Sequence, residues 1–262
     1  MAFLQCSFHS DVLGKACAMN VLLPQKVTTQ IGMASSSGNR ALPVLYLLHG
    51  LAGDHSVWMR RTAIERYAAN YPLAIVMPDC DRSFCTDMKY GPNYWTFLSE
   101  ELPEIVASLF PVSTRREDTF AAGLSMGGYG ALKLALRRPD RFAAGAGMSS
   151  VTDLGTRLVE RAREEKNRPE LLRYFGTLDG IPEEDDLFKL AEKTASVTPR
   201  PKIWQCCGTE DGLYAMNVRF RDHMAKLPYD FTYHEAPGVH NWEFWDFWIQ
   251  EVLKWLPLED KR

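Results

Sequence analysis

The stretch Asp118-Thr119-Phe120-Ala121-Ala122-Gly123-Leu124-Ser125-Met126-Gly127 decides the fold of this 262-residue chain. Its first half is a short run suited to a buried strand. The residues that follow, Gly128-Tyr129-Gly130-Ala131-Leu132-Lys133-Leu134-Ala135-Leu136, are apolar and helix-prone, and they end before Pro139. Strand, sharp turn and helix form the setting in which a G-x-S-x-G turn presents a serine hydroxyl at its tip. Glycines on both sides of Ser125 permit the close backbone approach and unusual dihedrals of such a turn.

Working outward, the same βα rhythm repeats. Pro43-Val44-Leu45-Tyr46-Leu47-Leu48 and Leu73-Ala74-Ile75-Val76-Met77-Pro78 are continuous apolar runs, as expected for strands buried on both faces of a parallel sheet. Further strands are expected at 142–148, 202–207 and 230–235. Helices are expected at 57–70, 95–110, 126–138 and 213–226, with a last one from Trp242. Two alternating segments at 2–8 and 16–23 read as an antiparallel pair at one sheet edge. The connection at 25–40, with Ser35-Ser36-Ser37-Gly38-Asn39, reads as a flexible loop. The expectation is one α/β domain over 1–262, its mostly parallel sheet covered by helices on both faces. The charged stretch 152–197 interrupts the rhythm. It reads as a solvated helical insertion, or as a small cap over the C-terminal edge of the sheet, where open α/β sheets bind ligands.

Composition narrows the partners. Hydrophobic residues make up 46% and charged residues 24%, and the formal net charge is −3, which gives no attraction toward nucleic acid or an anionic membrane. The start, Met1-Ala2-Phe3-Leu4-Gln5-Cys6-Ser7, lacks the basic and apolar segments of a signal peptide, so the chain is expected to be cytoplasmic. The six cysteines have no zinc-site spacing and read as reduced, structural thiols. No phosphate-cradling or dinucleotide-binding glycine pattern and no H-E-x-x-H is present, so nothing calls for a metal or another cofactor. The cap and the aromatic surface would suit a homo-oligomer.

A serine hydroxyl attacks only when a base takes its proton, and that base needs a third group to orient it. His240, in Pro237-Gly238-Val239-His240-Asn241-Trp242, falls in the loop before the last helix, on the sheet edge that should also carry Ser125. The acid is expected after the strand 202–207, in Gly208-Thr209-Glu210-Asp211-Gly212. Asp211 is preferred, with Glu210 and Asp153 as the alternatives. The order Ser, Asp, His is one of those in which such triads occur. Two backbone N–H groups should face the oxyanion, from Met126 after the nucleophile and from Leu51 in His49-Gly50-Leu51-Ala52-Gly53. His49 reads as an anchor of that loop. Tyr94 and Trp95 in the loop after the fourth strand, with Trp58 and Tyr129, are expected to wall an acyl pocket. For Trp58 a core position is the equal alternative.

These stretches, together with Met77-Pro78-Asp79, Tyr94-Trp95-Thr96, G-x-S-M-G-G-x-G-A at 123–131 and His240-Asn241-Trp242, resemble the esterase D family of α/β-hydrolases, and within it the tributyrin esterase group. The resemblance spans almost the whole chain. It implies an α/β-hydrolase fold and carboxylic ester hydrolysis of a small-molecule substrate, with Ser125, Asp211 and His240 as triad and Leu51 and Met126 as oxyanion donors. Members act on short-chain acyl esters, including acetylated sugars, and some cleave feruloyl esters. S-formylglutathione hydrolases belong to the same broad family, so a thioesterase of that type is the alternative activity, and a catalytically silent binding protein the alternative class.

Overall fold

Eight strands form one sheet in the order β1-β2-β4-β3-β5-β6-β7-β8 in the computed structural model, which describes residues 1–29, 31, 41–162 and 164–258. The strands are β1 (Ala2–Ser10), β2 (Lys15–Leu23), β3 (Val44–Leu48), β4 (Ala74–Pro78), β5 (Thr119–Leu124), β6 (Ala144–Met148), β7 (Lys202–Gly208) and β8 (Phe231–Ala236). From β4 through β8 every neighbour runs parallel, while β1 and β2 attach antiparallel at one edge. This is the α/β-hydrolase fold with the mixed edge expected from the sequence. The serine-rich connection expected at 35–39 lies outside the described residues.

Burial follows strand chemistry. β3, β4, β5 and β6 are buried at every position, whereas β1 alternates half-buried and exposed residues as an edge ribbon should. Successive side chains enter opposite layers. Val44, Tyr46 and Leu48 of β3 join a core beneath α4 (Leu102–Leu109), α5 (Met126–Arg137), α8 (Leu187–Thr194) and α9 (Tyr214–Met224), while Leu45 and Leu47 join the core beneath α2 (Ile64–Ala68) and α10 (Trp242–Trp255).

Two helical expectations change. The single helix expected at 57–70 is two short ones, α1 (Val57–Arg61) and α2, because Thr62 between them is extended. Its hydroxyl donates to the Trp58 carbonyl and accepts from the Ile64 N–H, offering the backbone partners that replace a continuous helix. The helix at 95–110 begins as α3 (Tyr94–Thr96) and passes through a π-helical turn, Phe97–Glu101, into α4.

The insertion at 152–197 divides in role. It contains α6 (Leu154–Ala162), α7 (Arg168–Phe175) and α8. Helix α8 belongs to the layer covering the sheet, with Leu187, Leu190 and Ala191 in the core and the Thr194 hydroxyl donating to the Leu136 carbonyl on α5. Of the three, α6 is the helix that reaches the cavity described below, through Arg157 and Arg161.

Candidate active site

The C-terminal ends of β3, β5, β7 and β8 lie along one sheet edge, where parallel α/β sheets gather ligands. Ser125 follows β5 directly and takes φ 54° and ψ −116°, a conformation that non-glycine residues rarely adopt and that concentrates at functional turns. Its hydroxyl makes no capping bond to α5, so it remains available to other partners. The turn closes only because two glycines meet. A Cβ on Gly123 would lie 2.4 Å from the Gly127 backbone, and one on Gly127 would lie 2.5 Å from the carbonyl oxygens of Leu48 and His49.

Two loops converge on that serine. Asp211, after β7, accepts from the Leu213 N–H at 2.8 Å through Oδ1 and meets His240 Nδ1 at 2.8 Å through Oδ2. His240, after β8, places Nε2 3.1 Å from Ser125 Oγ. A carboxylate only accepts, so Nδ1 carries the ring hydrogen and Nε2 is left to accept from the serine. Burial pushes the Asp211 carboxyl up, but the donors from His240 and Leu213 outweigh it and hold its pKa below the ordinary value.

The alternative acids are engaged elsewhere. Glu210 is exposed and accepts from the Gly238 N–H and the Thr209 hydroxyl, tying the acid loop to the histidine loop. The Gly238 N–H is the main reason its pKa is lowered. Asp153 pairs with Arg219 at 2.8 Å and accepts from the Thr156 N–H at the start of α6.

Met126 is the first residue of α5, so its N–H has no acceptor within the helix and points out at the positive end of the helix dipole. Leu51 and Met126 line the same cavity as Ser125 and His240. The Leu51 loop is fixed by His49, which is buried. Its Nε2 accepts from the Cys80 N–H at 2.8 Å, so Nδ1 bears the hydrogen and donates to the Gly50 carbonyl at 2.7 Å. His49 thereby bolts the loop after β3 to the loop after β4. Buried Asn217 does the same elsewhere, donating to the Ser150 and Leu213 carbonyls at 2.8 Å each and so joining the end of β6 to the acid loop.

Sequence and structural likeness show the family to which the chain belongs. A family model described as "Putative esterase" matches residues 10–256. The chain belongs to this esterase family. It is 30% identical to an acetyl esterase of Caldicellulosiruptor saccharolyticus, over 98% of each chain. Among solved structures it resembles a substrate-bound fluorophosphonate-binding serine hydrolase F of Staphylococcus aureus, with 33% identity, a TM-score of 0.86, and coverage of 98% of this chain and 99% of the other. An S-formylglutathione hydrolase of the same organism, as apoenzyme, shows 32% identity and a TM-score of 0.80, again over 98% and 99%. The protein is a carboxylic ester hydrolase of the serine esterase type.

The cavity of this esterase measures about 350 Å³, and its walls correct the pocket expected from sequence. Trp58, Tyr94, Trp95 and Tyr129 are all buried and none of them lines it. Trp58 donates its indole N–H to the Leu48 carbonyl and packs edge-on against Trp242. Tyr94 lies beneath the Lys15 ammonium, and Trp95 beneath Lys133 and Arg137. Tyr129 donates its hydroxyl to the Asp185 carbonyl. The walls are instead Phe84, Val151 and Leu213, with Leu51 and Met126, plus Arg157 and Arg161. Phe84 comes from the expected loop after β4 but from an earlier turn, where Asp81, Phe84 and Cys85 all have positive φ, at 47°, 47° and 49°. Tyr129 and Tyr174 pack edge-on behind it. Nothing in an isolated S-F-C tripeptide signals that strained turn. All six cysteines are free thiols outside any disulfide, and among the described residues no group of three or more His, Cys, Asp and Glu is arranged to hold a metal ion. No helix among them is long and apolar enough to cross a membrane.

Proposed function

We propose that this esterase cleaves short-chain acyl esters through an acyl-enzyme on Ser125, with His240 as general base and acid and Asp211 as the group that orients it. The unbroken line from Asp211 Oδ2 through His240 to Ser125 Oγ, at 2.8 and 3.1 Å, carries this reading. Ser125 Oγ attacks the ester carbonyl as Nε2 takes its proton. The tetrahedral oxyanion accepts from the Leu51 and Met126 N–H groups, each donor contributing roughly 3 kcal/mol. Nε2 then returns the proton to the departing alcohol, and water repeats the sequence to free the acid. A cavity of about 350 Å³ walled by Phe84, Val151 and Leu213 can receive a short acyl chain beside Ser125.

The test is turnover of p-nitrophenyl acetate, and labelling by a fluorophosphonate, in wild type and Ser125→Ala. The proposal expects both signals to vanish in the variant with the fold unchanged, and undiminished turnover overturns it. A panel of acyl lengths with acetylated xylan and methyl ferulate then ranks the substrates. A second reading, thioester cleavage of the S-formylglutathione type, draws on the likeness to the staphylococcal enzyme of that name. It uses the same residues and is separated by comparing S-formylglutathione with simple acetyl esters.

A further inference from the structure

The cavity holds two positive charges that ester hydrolysis does not use. Arg157 and Arg161 lie four residues apart on α6, so they share a face about 6 Å apart and both line the cavity of Ser125 and His240. The other ionisable groups in its wall are His240 and Asp211, and the Asp211 carboxylate is already engaged by His240 and the Leu213 N–H.

The guanidinium groups are only partly neutralised from outside the cavity, by Glu160 for Arg157 and by Glu170 and the exposed Glu164 for Arg161. Arg157 meets Glu160 at 3.8 Å in an exposed pair, a geometry that contributes little and leaves its donors mostly free. Arg161 lies 4.0 Å from Glu170 Oε2. The other oxygen of that carboxylate is taken by Arg82, whose Nε donates to it at 2.7 Å. One carboxylate therefore serves two arginines. A planar fork of N–H donors beside an apolar pocket matches the oxygens of a carboxylate or phosphate.

From this we infer that the physiological substrate is an anionic ester, bearing a carboxylate or similar oxyanion that Arg157 and Arg161 grip while its carbonyl lies at Ser125. The inference rests on the serine esterase reading and adds the substrate class to it. Both arginines are specificity residues here, and they touch the substrate away from the reacting bond.

Two matched pairs of esters test it and show which half carries the charge. Mono-(4-nitrophenyl) glutarate against 4-nitrophenyl pentanoate places the anion on the acyl side. 3-Carboxyphenyl acetate against phenyl acetate places it on the leaving group. The readout is the ratio of kcat/KM, anionic over neutral, in wild type, Arg157→Gln, Arg161→Gln, the double variant and the double Arg→Lys variant. For at least one pair the ratio should fall about tenfold for each charge-assisted hydrogen bond removed, and the lysine variant should recover part of it. In wild type the same ratio should drop as sodium chloride is raised, a measurement that needs no variant to fold. Ratios indifferent to both substitution and salt, with neutral esters still turned over, overturn the anionic-substrate inference alone. No turnover of any ester by wild type, with no fluorophosphonate labelling, overturns the esterase reading beneath it.

Discussion

His240 gives its Nδ1 hydrogen to Oδ2 of Asp211 across 2.8 Å, and that single bond fixes which ring nitrogen faces Ser125. Replacing Asp211 by Asn keeps the size of the side chain but allows its amide to donate toward Nδ1, which turns the imidazole to the wrong tautomer. The expected result for Asp211→Asn is a loss in kcat of about 10⁴-fold, as for the equivalent change in a serine protease. Glu210→Gln should cost far less, because that carboxylate reaches only the Gly238 N–H and Thr209. Steady-state kinetics on p-nitrophenyl acetate read both variants. If Glu210→Gln were the more damaging, the assignment of the acid would be wrong.

The same carboxylate sets an acid limit on stability. Its folded pKa is depressed, so the native state favours the ionised form. The stabilisation is present above the unfolded value of about 3.9 and is lost as pH falls through the lower folded value. Urea unfolding of wild type and Asp211→Asn at a series of pH values should show a stability gap that is constant from neutral down to about pH 5 and closes below about pH 4. A gap that widened in acid would contradict the depressed pKa.

Glycine at 127 is required by its surroundings. A Cβ there would sit 2.5 Å from two carbonyl oxygens of the β3 end, and backbone atoms cannot swing aside as a flexible side chain can. Gly127→Ala should therefore cost at least the 1–3 kcal/mol typical of overpacking, roughly a fall of several degrees in Tm, and should misplace Ser125. Gly212→Ala is the matched control, since its Cβ would meet nothing within 4 Å. Its Tm should stay within about a degree or two of wild type, in line with substitutions away from packed features. Differential scanning fluorimetry separates the two.

The succession of strands, the antiparallel N-terminal edge and the strand ends that carry Ser125, Asp211 and His240 are legible in the sequence because each depends on local signals. Continuous apolar runs mark buried parallel strands, and a serine between glycines or a histidine just before a helix stands at a definite strand end. The pocket walls are illegible for a different reason. Tyr94 and Trp95 follow the right loop as the start of α3, yet their rings turn into the core beneath Lys15, Lys133 and Arg137, while Phe84 reaches the cavity from a turn that contains three residues of positive φ. Side-chain direction at such a turn is a tertiary outcome. Arg157 and Arg161 sit in a charged run whose solvated outer face is legible but whose inner face is not. The break at Thr62 is silent in the sequence because a threonine that bonds its own helix backbone leaves no periodic trace.

Lys133 is a charge in the middle of the apolar pattern of α5, a helix whose last residue is Arg137. It is fully buried on the helix that begins at the nucleophile, and it pairs with Asp185 of the insertion while donating to the Cys85 carbonyl at 2.8 Å. Burial lowers its pKa and Asp185 opposes that shift. The ammonium thus joins three parts of the site: the serine helix, the strained turn that presents Phe84, and the insertion that presents Arg157 and Arg161. Lys133→Met leaves the Asp185 carboxylate buried without its main partner and should cost about 3–5 kcal/mol in urea unfolding. Lys133→Met with Asp185→Leu removes both charges and should recover most of that loss, because an apolar pair of similar volume is often as stable as a buried ion pair. Function should not recover in step. With its polar tether gone, the Phe84 turn loses the bond at Cys85, so kcat/KM on p-nitrophenyl acetate should stay below wild type even in the stable double variant. Full recovery of both quantities would reduce Lys133 to a packing residue and leave the placement of Phe84 to the backbone alone.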